Sequence, residues 1–239
     1  VDYSIIRMEN FMLAEESDDL QTRKAIVIGP VGSGKTSLCR YVAGLYTPTE
    51  DSKMSGNSVT KGVMAYKGKF IKLAGTQGDV KVQYTMIDTE GYGADSFSKD
   101  TLKNQLVDIL KLETELNAVI ILVSFERFRA GLKDDLAHLI GVIEMLGLGK
   151  DALLFCFTHC EYYKDEVREK YKAEFAAYYE VNLADSMYGC FANVGEINSK
   201  YSPFIMDNVK DSIKDVREQL LKRVKPINVA MRIAAVNSQ

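Results

Sequence analysis

The chain has 239 residues, 46% hydrophobic and 26% charged, with a formal net charge of -3. That length supplies one large α/β core, the composition is that of an ordinary soluble globular protein, and the charge argues against a nucleic-acid partner. No charged-then-apolar leader opens the sequence and no apolar run approaches bilayer length. Cys39, Cys156, Cys160 and Cys190 are scattered without zinc spacing to His138 or His159, so a cytoplasmic protein with reduced thiols is expected.

Residues 1–22 mix apolar positions with the acidic cluster Glu15-Glu16-Ser17-Asp18-Asp19 and carry no evident chemistry. A strand is predicted over Lys24–Ile28, running into Gly29-Pro30-Val31-Gly32-Ser33-Gly34-Lys35-Thr36 and then a helical pattern from Ser37. Strand, glycine-rich loop, Lys-Thr and helix form the phosphate-binding P-loop pattern in its required context. Glycines let successive N–H groups face a phosphate, and the helix adds the positive end of its dipole. Gly29, Val31, Gly32, Ser33, Gly34, Lys35, Thr36 and Ser37 are the predicted cradle; Lys35 would reach the β- and γ-phosphates, and the Thr36 hydroxyl would ligate Mg2+. Cys39, on the same helix, reads as packed.

From Thr47 to Gly62 the sequence is polar and small, a long loop of the kind that carries function, ending in Val59-Thr60-Lys61-Gly62. The Thr60 hydroxyl is a candidate Mg2+ ligand and its N–H a candidate γ-phosphate contact; the plainer alternative is a residue that starts a strand. Val63–Leu73 alternates and is predicted to pair with Val80–Ile87 across Gly75–Asp79. The strand Val82–Ile87 delivers Asp88-Thr89-Glu90-Gly91, where Asp88 would hold a Mg2+-bound water and the Gly91 N–H would approach the γ-phosphate. Downstream of a P-loop and a loop ending in threonine, D-x-x-G completes a switch that senses that phosphate.

Helical spacing returns over Thr101–Leu112, followed by a buried-type strand Ala118–Phe125, then Arg127 and Arg129, and a helix Leu132–Leu146 on which His138 reads as packed. The strand Ala152–Phe157 presents Thr158-His159-Cys160-Glu161 at its carboxyl end, where open α/β sheets bind ligands. Glu161 would accept hydrogen bonds from guanine N1–H and the 2-amino group, donors that adenine lacks, and His159 would stack on the base. The plainer alternative is that both cap the next helix. A tyrosine-rich helix is predicted over Asp165–Tyr179, and a last strand over Cys190–Val194 would bring Asn193 to the base. A helical pattern over Pro203–Val224 stops before Pro226, and the apolar tail Ile227–Val236 packs on the domain or on a partner.

Four stretches carry a resemblance: Asn57-Ser58-Val59-Thr60-Lys61; Asp88-Thr89-Glu90-Gly91; Arg127-Phe128 through Glu144-Met145-Leu146-Gly147 to Phe157-Thr158; and Thr158-His159-Cys160-Glu161. Across Lys24–Lys222 the chain resembles the GIMAP/IAN family, the immunity-associated (AIG-type) GTPases related to septins and the chloroplast Toc import receptors. It departs from that pattern at Glu90, where proline is usual, at Tyr92, where an apolar residue is usual, and at His159, where arginine is usual. The predicted fold is α/β: a three-layer α/β/α P-loop NTPase G domain whose central sheet is mostly parallel with one antiparallel edge strand. Residues 1–22 would be an N-terminal extension, 23–224 the G domain and 225–239 a tail.

The resemblance implies GTP and GDP as ligands, with Mg2+ held by Thr36, Thr60 and, through water, Asp88. It also implies slow GTP hydrolysis, a homodimer or higher oligomer across the switch face in the GTP state, and work in the cytoplasm or at the cytosolic face of an intracellular membrane. Lys35 and Thr60 are the predicted catalytic residues. The water-orienting group stays open, because Tyr92 stands where Ras-type switches carry glutamine; Glu90 and Arg127 are candidates. A septin-like GTP-binding scaffold with little turnover, assembling into dimers or filaments, is the alternative reading. A P-loop ATPase or nucleotide kinase is a third.

Overall fold

The apolar run before the P-loop is the middle of the sheet. The computed structural model describes residues 20–45, 62–75, 78–92, 99–113, 115–124, 139–141, 143–144, 148, 152–158, 166, 169–170, 173, 203–223 and 226–228. Strand β1 (Leu20–Ile28) is followed by α1 (Lys35–Ala43), β2 (Met64–Lys67), β3 (Ile71–Gly75), β4 (Gly78–Asp88) and α2 (Lys99–Leu112). Then come β5 (Glu115–Leu116), β6 (Ala118–Ser124), β7 (Leu153–Thr158), α3 (Pro203–Lys222) and β8 (Ile227–Asn228). The main sheet runs β2-β4-β1-β6-β7, with β3 also on β4. β1 pairs in parallel with β4 and β6, and β6 with β7, whereas β2 and β3 are antiparallel to β4.

Alternation along the strands divides the core between two faces. Ala25 and Val27 of β1 join Val82, Tyr84 and Met86 of β4 beneath Leu38, Cys39 and Val42 of α1 and Val209, Ile213, Val216 and Leu220 of α3. Ile26 and Ile28 face the other way, with Ile87, Ile121, Val123, Phe155 and Phe157, under Leu106, Ile109 and Leu110 of α2 and the helical residues Leu139 and Ile143. Helices on both faces explain why β1, β6 and β7 read as continuous apolar runs. Burying a side chain such as Leu38 or Val42 contributes about 1.5–3 kcal/mol.

β1 begins before the predicted Lys24: Leu20–Arg23 continue the ladder with Lys81–Tyr84, although Leu20 is 44% exposed. The predicted edge strand Val63–Leu73 is split into β2 and β3 at Gly68, whose N–H donates to the Tyr84 carbonyl at 3.0 Å while Gln83 Nε2 donates to the Gly68 carbonyl at 2.9 Å. The two short strands occupy one edge of β4 in turn. In the predicted tail, β8 pairs with β5, Leu116 opposite Ile227, so the start of that tail packs on the domain.

Two buried arginines close the ends of the helices. Arg23 Nε donates to the Leu220 carbonyl and Nη2 to that of Leu221, at 3.1 and 3.0 Å, so its charge sits at the negative end of α3. Arg217 does the same for α1, donating to the Tyr41 and Val42 carbonyls at 2.8 and 3.1 Å. Among the described residues no helix is long and apolar enough to cross a membrane.

Candidate functional site

The site forms at the edge of the sheet where the neighbouring strands β1 and β4 end and where β7, one strand beyond β6, also ends. After β1 the chain turns through Gly29–Gly34, with the Ser33 N–H donating to the Pro30 carbonyl at 3.2 Å. Gly34 adopts φ 88°, a left-handed conformation that glycine reaches without strain, and α1 starts at the next residue. Among the described residues no side chain caps that terminus, and the first turn holds no acid, so the positive end of α1 is left to attract an external anion. Ser37 lies on this first turn, half-buried.

Lys35 is only 6% exposed, and its Nζ donates to the carbonyls of Gly29 and Pro30 at 3.1 and 2.9 Å. Burial holds its pKa down at about 8, opposed by the negative charges of Asp88 and Glu90. A phosphate beside it would restore full charge. Burial also pushes the Cys39 thiol well above its ordinary range, with Asp88 adding to the effect, in keeping with a packed and unreactive group.

Because β4 lies directly beside β1, its terminal Asp88 reaches α1. The Thr36 hydroxyl donates to Asp88 Oδ2 at 2.7 Å, and the Asp88 side chain is fully buried. Hydroxyl and carboxylate oxygens adjoining a phosphate cradle suit a hard cation such as Mg2+, which keeps several waters and takes its other ligands from phosphates. Among the described residues no cluster of three or more His, Cys, Asp or Glu offers an all-protein cage. The donor set therefore fits Mg2+ only in company with a phosphate.

The D-x-x-G segment is fastened to the P-loop along its length. Thr89 Oγ1 donates to the Val27 carbonyl at 2.8 Å. Tyr92 extends the parallel pairing beyond β4: its N–H donates to the Gly29 carbonyl at 3.3 Å, and its carbonyl accepts the Val31 N–H at 3.0 Å. Gly91 packs so tightly that a Cβ there would lie 2.8 Å from Lys35 Nζ and from the Val31 backbone. The Tyr92 ring sits in the core on the α2 face. Glu90, between these anchors, accepts the Gly62 N–H at 3.4 Å.

From the third strand, Thr158 Oγ1 donates to the Ser33 carbonyl at 2.7 Å, which supports the P-loop from behind. The Ser33 hydroxyl is turned inward beside Gly29. The structure brings Gly29, Val31, Gly32, Ser33, Gly34, Lys35, Thr36, Ser37, Asp88 and Gly91 to this one end of the sheet. Thr60, Arg127, His159, Glu161 and Asn193 lie outside the described residues. Sequence reasoning missed the main-chain role of Tyr92 and the Glu90–Gly62 contact, neither of which has a side-chain pattern. Thr158 had a signal, as the head of the tetrad at the end of β7.

No family model matches the chain. Among curated proteins it is similar to the Fe(3+) ions import ATP-binding protein FbpC of Yersinia pestis bv. Antiqua, strains Antiqua and Nepal516, and of Yersinia pseudotuberculosis serotype I strain IP32953. Each is 30% identical over 102 residues, which are 40% of this chain and 29% of the relative. The match spans less than a third of these relatives; together with the mixed α/β sheet it agrees with a P-loop NTPase fold.

Proposed function

We propose that this chain is a guanine-nucleotide switch that binds GTP and GDP with Mg2+ and hydrolyses GTP slowly. The observation that carries the reading is the convergence of three motifs on one loop: Lys35 and Thr36 of the P-loop, Asp88 and Gly91 at the end of β4, and Thr158 at the end of β7. In this reading residues 23–224 make up the G domain, 1–22 precede it and 225–239 form a tail.

Lys35 would neutralise the β- and γ-phosphates, and the first turn of α1 would direct its N–H groups at them. Thr36 and Asp88, with Thr60, would hold Mg2+, and bound there the ion neutralises charge on the phosphate oxygens. Gly91 would bring its N–H to the γ-phosphate from beside Lys35. His159, Glu161 and Asn193 would read the base, Glu161 accepting from the donors that guanine alone presents. With the Tyr92 ring in the core, no side chain at that position orients the attacking water, which supports a slow intrinsic rate. An arginine from a facing protomer, Arg127 among the candidates, would raise it, and this gives dimerisation across the switch face a function. The working place is the cytosol or the cytosolic face of an intracellular membrane.

A second reading, ATP binding, is favoured by the likeness to the FbpC proteins. Identifying the co-purified nucleotide and weighing the protein with GDP and with a GTP analogue decides between them. Bound guanine nucleotide and a larger mass with the analogue support the switch. Bound adenine nucleotide overturns it.

A further inference from the structure

Glu90 occupies the variable position of D-x-x-G, between residues that cannot easily shift. On one side Thr89 is hydrogen-bonded to the β1 backbone. On the other, Gly91 is packed on Lys35 and Val31, and Tyr92 is joined to Gly29 and Val31 through its main chain. The backbone at Glu90 is therefore held, and its half-buried side chain is the part left to respond. Among the described residues that side chain has two relations. Its charge acts on Lys35, and its carboxylate accepts the N–H of Gly62. Gly62 stands two places after Thr60 and has φ 82°, a left-handed conformation that suits glycine and sets the direction of its N–H.

We infer that Glu90 is a positioning residue that makes the Gly62 end of the polar loop sensitive to a γ-phosphate, and so discriminates nucleoside triphosphates from diphosphates. The inference rests on the nucleotide-switch reading of the site. A γ-phosphate beside Lys35 takes up the positive charge that the Glu90 carboxylate now shares and adds negative charge of its own. Like charges at that range repel, the carboxylate is driven outward, and its hydrogen bond to Gly62 is lost. A diphosphate ends before this point and leaves the bond in place. Glu90 thus opposes triphosphate binding while coupling it to the loop, and it takes no part in orienting water.

The test uses the full chain and the variants Glu90→Gln, which keeps an acceptor for the Gly62 N–H but removes the charge, and Glu90→Ala, which removes both. Hydrogen–deuterium exchange of the Gly62 amide, resolved from that of Thr60 by overlapping peptides, and dissociation constants are measured with the diphosphates and the β,γ-imido triphosphates of guanosine and adenosine. Wild type should exchange at Gly62 faster with the triphosphate analogue than with the diphosphate. Glu90→Gln should stay protected with both, Glu90→Ala should exchange fast with both, and each variant should bind the triphosphate analogue about tenfold tighter relative to the diphosphate. If wild type binds guanine nucleotides yet Gly62 exchanges alike with both, or if Glu90→Gln leaves the ratio of affinities unchanged, the inference is overturned and the switch reading stands. Adenine-only binding overturns the guanine reading while the same comparison, made with adenine nucleotides, still decides the role of Glu90. Binding of neither overturns both.

Discussion

Replacing Lys35 with methionine removes the charge at the centre of the site while keeping an unbranched chain of similar length. The Lys35 ammonium is buried, and its pKa falls from the ordinary 10.5 to about 8 in the folded protein. The difference of about 2.5 pH units, at about 1.36 kcal/mol each, means that folding with this lysine charged costs about 3 kcal/mol. The direction follows from proton counting. Below pH 8 the lysine is charged in both states and the cost is fully present. Between pH 8 and 10.5 the unfolded chain binds the proton and the folded one does not, so wild-type stability rises with pH.

Urea denaturation of wild type and Lys35→Met at pH 7, 8, 9 and 10 reads this directly. The stability of wild type relative to the variant should increase by about 2–3 kcal/mol from pH 7 to pH 10, most of it above pH 8. A saturating nucleoside triphosphate should flatten the wild-type profile, because a phosphate against Nζ restores the ammonium form. A difference that stays level across this range would refute the claim that Lys35 is held desolvated and poised for an anion.

Gly91→Ala puts a methyl group 2.8 Å from Lys35 Nζ and the Val31 backbone; it should destabilise the fold by about 1–3 kcal/mol in urea and weaken triphosphate binding more than diphosphate binding. Thr158→Val removes the hydroxyl that supports the Ser33 carbonyl and leaves that group buried without its donor, so about 1–3 kcal/mol of stability should be lost together with nucleotide affinity by calorimetry. Asp88→Asn keeps the shape beside Thr36 but not the charge, and titration with Mg2+ should show the metal no longer strengthening nucleotide binding.

What was legible in the sequence was what is local. The strand–P-loop–helix run is a statement about neighbouring residues, and so is Asp88 at the end of an apolar strand; adjacency of β4 to β1 then makes them one site. The layered fold was legible because period-two alternation and unbroken apolar runs report burial on one face or two. The arginine closures of the helix ends were not. Arg217 meets Tyr41 across 176 positions and Arg23 meets Leu220 across 197, separations over which no pattern in one sequence speaks. The split of the edge strand at Gly68 was hidden because its cause is hydrogen bonding to Tyr84 and Gln83 on the neighbouring strand. Tyr92 was read for its side chain, whereas its contribution to the site is its backbone, which residue type does not encode.

The central claim, a guanine-specific triphosphate site, is tested most directly by thermal denaturation with Mg2+ and matched concentrations of a non-hydrolysable GTP or ATP analogue. The account predicts stabilisation by the guanine analogue of about 2.7 kcal/mol at a hundredfold its dissociation constant, with a much smaller response to the adenine analogue. An equal or larger shift with the adenine analogue would contradict it.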